Sequence, residues 1–205
     1  MDSSLHESPA TVSMPRGSRW FAGMWVTASA MLREASEGLA GLLGVRIVRL
    51  SGVDRSEIEA HLLQLDPVSR ANRFMGAVDA TCVRRYVAGI DFTRDLVLGA
   101  RIGLSLVGVV HAPVHGAPGG PVAELGISVR ARHRHDGIGT QLLAATVREA
   151  REQGVTAVQL RYLASNAPMA AWARSAGARI SRAGAECTAV VSTAPAAPAV
   201  PRLAT

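Results

Sequence analysis

The stretch Arg132-His133-Arg134-His135-Asp136-Gly137-Ile138-Gly139-Thr140 concentrates the chemistry-bearing residue types of this chain. Two chemistries fit its spacing. His133, His135 and Asp136 carry groups that bind transition metals. Arg134, Gly137 and Gly139 form Arg-x-x-Gly-x-Gly, a loop that can wrap an anion. A metal site needs further ligands and a second shell of hydrogen bonds. His6, His61, His111 and His115 stand at no ligand spacing, and Arg130, Arg132 and Arg134 set positive charge against a dication. No metal is therefore expected. The blander alternative is a solvated basic loop.

The anion chemistry depends on what flanks the loop. Before it, Val122–Val129 reads as a buried strand. After it, Leu142, Leu143, Thr146, Val147 and Ala150 form one apolar stripe at helical spacing, with Gly154 as the stop. The first-turn N–H groups of such a helix have no intrahelical acceptor, and its dipole adds about half a positive charge there. Glycines let a phosphate approach the backbone with no Cβ in the way. Strand, loop and helix together make a pyrophosphate seat, to which Thr140 could add a hydroxyl. A dinucleotide-binding loop fits less well, because no acidic residue ends the following strand.

The other elements must hold this seat in place. Val45–Val53 alternates as a half-buried strand does. A helix follows with Asp54 or Ser56 as its cap, Ile58, Leu62 and Leu65 at helical spacing and Pro67 as its stop. Val83, Tyr86, Val87 and Ile90 mark another helix. The runs 95–102 and 105–114 are apolar strands, and His115–Pro121 is turn chemistry. Ala157–Leu163 is a strand. Asn166 to Ala178 is a short helix with Asn166 as cap and Pro168 in its first turn, and two strands close the chain around Gly184. The order β-α-α-β-β-β-α-β-α-β-β predicts an α/β (α+β) single domain with a mixed central sheet flanked by helices.

Composition sets the limits. All 22 cationic residues of the 205 are arginine, and the net charge is +6, which suits an anionic partner. Aromatics make up only 4%, which disfavours a base-stacking surface, and no DNA-reading helix is recognisable; no nucleic acid partner is expected. Cys82 and Cys187 have no pairing or zinc spacing and read as reduced, partly buried thiols of a cytoplasmic protein. Residues 1–18 read as a disordered leader, 19–44 as a helical extension, 45–192 as the domain and 193–205 as a disordered Pro/Ala tail. Met14–Met31 has some signal-peptide character, but its basic part starts late and its apolar run is broken by Gly23 and Thr27. The uncharged run from Trp20 to Leu32 is too short to span a bilayer, so no stable membrane insertion is expected.

The run "AELGISVRARHRHDGIGTQLLAATVREAREQG" resembles the acetyl-CoA-binding core of the GNAT N-acetyltransferases, whose motif Gln/Arg-x-x-Gly-x-Gly/Ala is matched by Arg134, Gly137 and Gly139. "NAPMAAWARSAG" is similar to the second family segment, in the Asn-x-x-Met form of GNAT domains related to bacterial protein lysine acetyltransferases. "LLQLDPVSRANRFMGAV" is also similar to the stretch before the core in those relatives. The resemblance implies an acetyl-CoA-dependent N-acetyltransferase acting on a protein lysine or a small amine. A homodimer is a further candidate partner, and the sequence does not give the oligomeric state. Ile127 and Val129 would pair with the pantetheine arm. Arg134, His135, Asp136, Gly137, Ile138, Gly139 and Thr140 would hold the pyrophosphate, and Asn166 would face the thiol end. Glu124 would be the general base, partly buried and taking the proton of the attacking amine; its alternative is a strand carboxylate paired to an arginine. A backbone N–H of the splayed strand would meet the thioester oxygen. One departure stands out: the tyrosine that many relatives use as general acid is Ala173 here, with Trp172 beside it. The competing function is a non-catalytic acyl-CoA-binding regulatory module, and Glu124 is the residue that separates the two.

Overall fold

The computed structural model describes residues 44–193. The expected leader, nearly all of the helical extension and the Pro/Ala tail beyond Thr193 lie outside the described residues; Thr193, expected in the tail, is buried and bonded to Val155 and Thr156. The described part is one eight-stranded sheet and five helices. The strands are β1 (Val45–Arg49), β2 (Leu96–Ile102), β3 (Ser105–Ala112), β4 (Val114–His115), β5 (Val122–Val129), β6 (Ala157–Leu163), β7 (Arg179–Ala183) and β8 (Glu186–Ser192). The helices are α1 (Arg55–Leu63), α2 (Pro67–Phe74), α3 (Ala80–Ala88), α4 (Ile138–Glu152) and α5 (Ala167–Ser175). The sheet runs β1-β2-β3-β5-β6-β8-β7, with β4 also paired to β5. Only β5 and β6 are parallel, so the expected mixed sheet is found.

Two cores sit on opposite faces. On β3, Val109 packs with Ile58, Leu62, Val83 and Val87 of α1 and α3, while the next residue, Val110, packs with Leu142 and Leu143 of α4. Neighbouring strand residues point to opposite faces, so β3 is buried on both. The predicted stripe of α4 is the buried one: Leu142, Leu143, Thr146 and Ala150 face the sheet.

Three expectations change. Pro67 does not end a helix that runs up to it. α1 stops at Leu63, and Pro67 opens α2, where Asp66 caps the backbone N–H of Ser69 at 2.9 Å. Proline at a first helical position gives up an N–H that has no partner there anyway. The expected strand 105–114 breaks at Pro113 into β3 and β4. Cys82 is exposed on α3, because its backbone N–H serves the Asp79 cap (2.7 Å) while Val83 and Val87 take the buried face; Cys187 is buried as expected.

Candidate active site

β5 and β6 pair from Val122↔Ala157 to Leu125↔Leu160 and then part. Beyond Leu125, β5 stays paired to β3 through Gly126↔His111 to Val129↔Gly108. Its other edge opens a cleft of about 590 Å³ that runs to the start of α4. Gly126, Ile127, Val129, Arg134, His135, Gly137, Gly139, Thr140 and Asn166 line it, with Arg73 from α2 and Arg161 and Tyr162 from β6. Three arginines and two histidines face the cleft, and no carboxylate does, among the described residues. Such a wall favours an anionic ligand.

The two loop glycines have different reasons. Gly137 caps α4 at φ +76°, a left-handed backbone that side chains resist. Gly139 has no such constraint: a Cβ there would meet only Val129 Cγ2, at 3.9 Å. The protein itself leaves that space open in front of the first turn of α4, where the helix presents its unpaired N–H groups. This fits a phosphate ligand held by backbone.

Several expected residues are placed differently from their neighbours. Ile138 is buried in the core, so only its backbone can serve a ligand. Asp136 does not line the cleft; its carboxylate lies 3.9 Å from His133 Nδ1. Among the described residues no three His, Cys, Asp or Glu are grouped to hold a metal ion. The Arg134 guanidinium reaches across to α2, binding Asp66 Oδ2 at 3.2 Å and the Ser69 hydroxyl. Those contacts, led by the Ser69 hydrogen bonds, hold the Asp66 carboxyl down at about 2. Arg134 thus ties the loop to α2 while the backbone faces the cleft. The Asn166 side chain accepts from Met169 N at 3.3 Å and so caps α5 at the cleft edge. Ala173, in the place of the relatives' acid, is fully buried. Tyr162 is a phenol in the cleft wall whose pKa is raised by burial and by the neighbouring Cys187.

Glu124 is exposed rather than partly buried, and it does not line the cleft. It lies opposite Gln159, where β5 and β6 are still joined. By strand alternation it shares the face of Gly126, two residues on. Its charge helps to raise the Arg161 pKa, though the hydrogen bond from Arg161 to Glu186 at 2.7 Å is the main cause.

The residues that sequence spacing missed come from α2, α3, the turn before β2, and β3. Arg73, Tyr86, His111 and Asp95 form one hydrogen-bonded chain leading to the cleft. The Asp66-Pro67 pair was a legible signal for α2. Nothing in the spacing marks Arg73, because its contact with Gly126 joins residues 53 positions apart.

The Acetyltransferase (GNAT) family model matches residues 71–178, over half of the chain and including most residues of the cleft. The chain belongs to the GNAT acetyltransferase family. It is an acyltransferase, and acetyl-CoA is its acyl donor. No curated protein matches it in a sequence search. Solved structures share the fold. The GNAT domain of S. lividans PAT is 23% identical, with a TM-score of 0.62 over 72% of this chain and 90% of that one. The yncA protein of Salmonella typhimurium, solved with its cofactor acetyl-CoA, is 15% identical, with a TM-score of 0.57 over 77% of this chain and 98% of that one. An N-acetyltransferase from Thermoplasma acidophilum, solved with coenzyme A, is 16% identical, with a TM-score of 0.55 over 72% and 98%.

Proposed function

We propose that residues 45–192 form the catalytic unit of a cytoplasmic N-acetyltransferase that moves the acetyl group of acetyl-CoA directly to a primary amine, a protein lysine or a small amine. The observation that carries this reading is the acid-free cleft between the parted ends of β5 and β6, closed at one end by the glycine-opened first turn of α4. Backbone groups of Ile127 and Val129 hold the pantetheine arm, and the backbone from Gly137 to Thr140 takes the pyrophosphate. Arg134 keeps that loop in register with α2. Glu124, at the rim where the strands begin to part, accepts the proton of the amine, which attacks only when neutral. Holding both substrates in one cleft supplies much of the rate by proximity. The Asn166-x-x-Met169 pattern favours a protein lysine. Exposed Val68, at the mouth on α2, offers apolar contact to such an acceptor.

Thermal shift with acetyl-CoA and with free CoA tests the donor site: both should raise the melting temperature. Mass spectrometry of a lysine peptide and a panel of small amines, incubated with acetyl-CoA and protein, then reads the acceptor. No stabilisation by either ligand would sink the reading.

A further inference from the structure

Arg73 is the cleft residue with the least ordinary surroundings. It sits in the last turn of α2, and Met75, which caps that helix, is left-handed at φ +59°. Its guanidinium packs over Gly126; an ideal Cβ at that glycine would run into Cζ and Nη1 and stand 2.7 Å from Nη2. Gly126 is the first residue of β5 after the strands part. No carboxylate pairs with Arg73 among the described residues. Its contacts are neutral: Nη2 donates to Tyr86 Oη, and the guanidinium lies 5.1 Å from the ring centroids of Phe74 and Tyr86. Its Nε is buried without a partner. A half-buried cation without an anion is costly unless a ligand supplies the charge.

The chain behind Arg73 fixes where it points. Tyr86 Oη accepts from Arg73 and gives its one proton to His111 Nδ1 at 2.5 Å. That leaves the His111 proton on Nε2, donated to Asp95 Oδ2 at 2.8 Å. Asp95 also accepts from the backbone N–H of Asp91 at 3.2 Å. The donors run in one direction, Arg73 to Tyr86 to His111 to Asp95. His111 is neutral in this arrangement, and burial lowers its pKa. The chain also closes on itself in space, because His111 is the β3 partner of Gly126.

We propose that Arg73 is a catalytic residue that stabilises the negative charge developing on the acyl oxygen, and that Tyr86, His111 and Asp95 are positioning residues that hold its guanidinium over Gly126. In the step, the amine nitrogen lone pair forms the new C–N bond, and the C–S pair leaves with sulfur as the CoA thiolate. The amine proton goes to Glu124. The acyl oxygen gains charge as the carbon goes tetrahedral and returns it as the C–S bond breaks. A fixed cation at that oxygen acts only while the charge is there. The inference rests on the acetyl-CoA cleft proposed above and concerns only its acyl end.

Binding of two CoA thioethers tests it without turnover. S-carboxymethyl-CoA places a carboxylate at the acyl position, and S-ethyl-CoA is its neutral counterpart. Wild type should bind the carboxylate form about tenfold or more tightly, the size of one charge-assisted contact. Arg73→Gln should bind S-ethyl-CoA as wild type does and lose that preference. Gly126→Ala is the second variant, since its methyl takes the space of the guanidinium at the flexible end of that side chain; it too should lose the preference. Tyr86→Phe should reduce it several-fold, with acceptor KM unchanged and kcat lowered. Equal affinities in wild type, or a preference that survives both Arg73→Gln and Gly126→Ala, overturn the role of Arg73. An unaltered preference in Tyr86→Phe overturns the positioning chain. Failure of wild type to bind either thioether overturns the donor site itself, a different result from equal binding.

Discussion

Acidification should loosen this fold through one histidine. His61 of α1 is fully buried and meets Ser128 Oγ of β5 at 3.0 Å, so it links the helical face to the strand that walls the cleft. Burial lowers its pKa from 6.5 to about 4, and the charges of Arg130 and Arg73 act in the same direction. The folded state therefore binds fewer protons than the unfolded state between these values, and stability falls as pH falls through that window. Linkage across the 6.5-to-4 interval gives a loss of about 2 kcal/mol from about pH 7 to about pH 5, approaching about 3 kcal/mol at lower pH. Against a domain stability of about 5–15 kcal/mol this is a large fraction. Urea unfolding of wild type and His61→Gln at a series of pH values reads it. The glutamine amide can still donate to Ser128 but does not titrate. His111 is also lowered by burial and adds a slope common to both proteins. Wild type should lose about 2 kcal/mol more than the variant over the interval. Parallel stability curves for the two proteins would refute the assignment of the acid sensitivity to His61.

Other outcomes follow from the same geometry. Glu124→Gln should lower acetyl transfer by about a hundredfold or more and leave CoA affinity within a factor of about two, read by a thiol-release assay and calorimetry; retained turnover would make Glu124 a strand carboxylate only. Gly137→Ala should destabilise by about 1–2 kcal/mol, because the methyl is forced into a left-handed backbone, and should weaken CoA binding as the loop shifts; urea melts and calorimetry check both. Asn166→Ala removes the α5 cap and should cost about 1 kcal/mol in the same melts, with Asn166→Ser recovering most of it.

The sequence alone determined most of the elements and marked the glycine loop in front of α4. Strand alternation, the apolar stripe of α4 and the cap at Asn166 are local patterns, and local backbone physics decides them. Gly137 and Gly139 are legible for the same reason, since glycines before a helix N-terminus are a local pattern that suits an anion, whereas the turn of Arg134 onto Asp66 and Ser69 was not legible. Tertiary structure decided what surrounds the parting of β5 and β6. That β5 leaves β6 after Leu125, that Glu124 is exposed at the rim, and that Arg73 lies on Gly126 all depend on which strands pair and where α2 docks. Arg73, Tyr86, Asp95 and His111 come from four separate segments, and no spacing along the chain encodes their meeting. The His61 link is of the same kind. A histidine on the apolar face of α1 reads as an ordinary helix residue until β5 is packed against it and takes away its water.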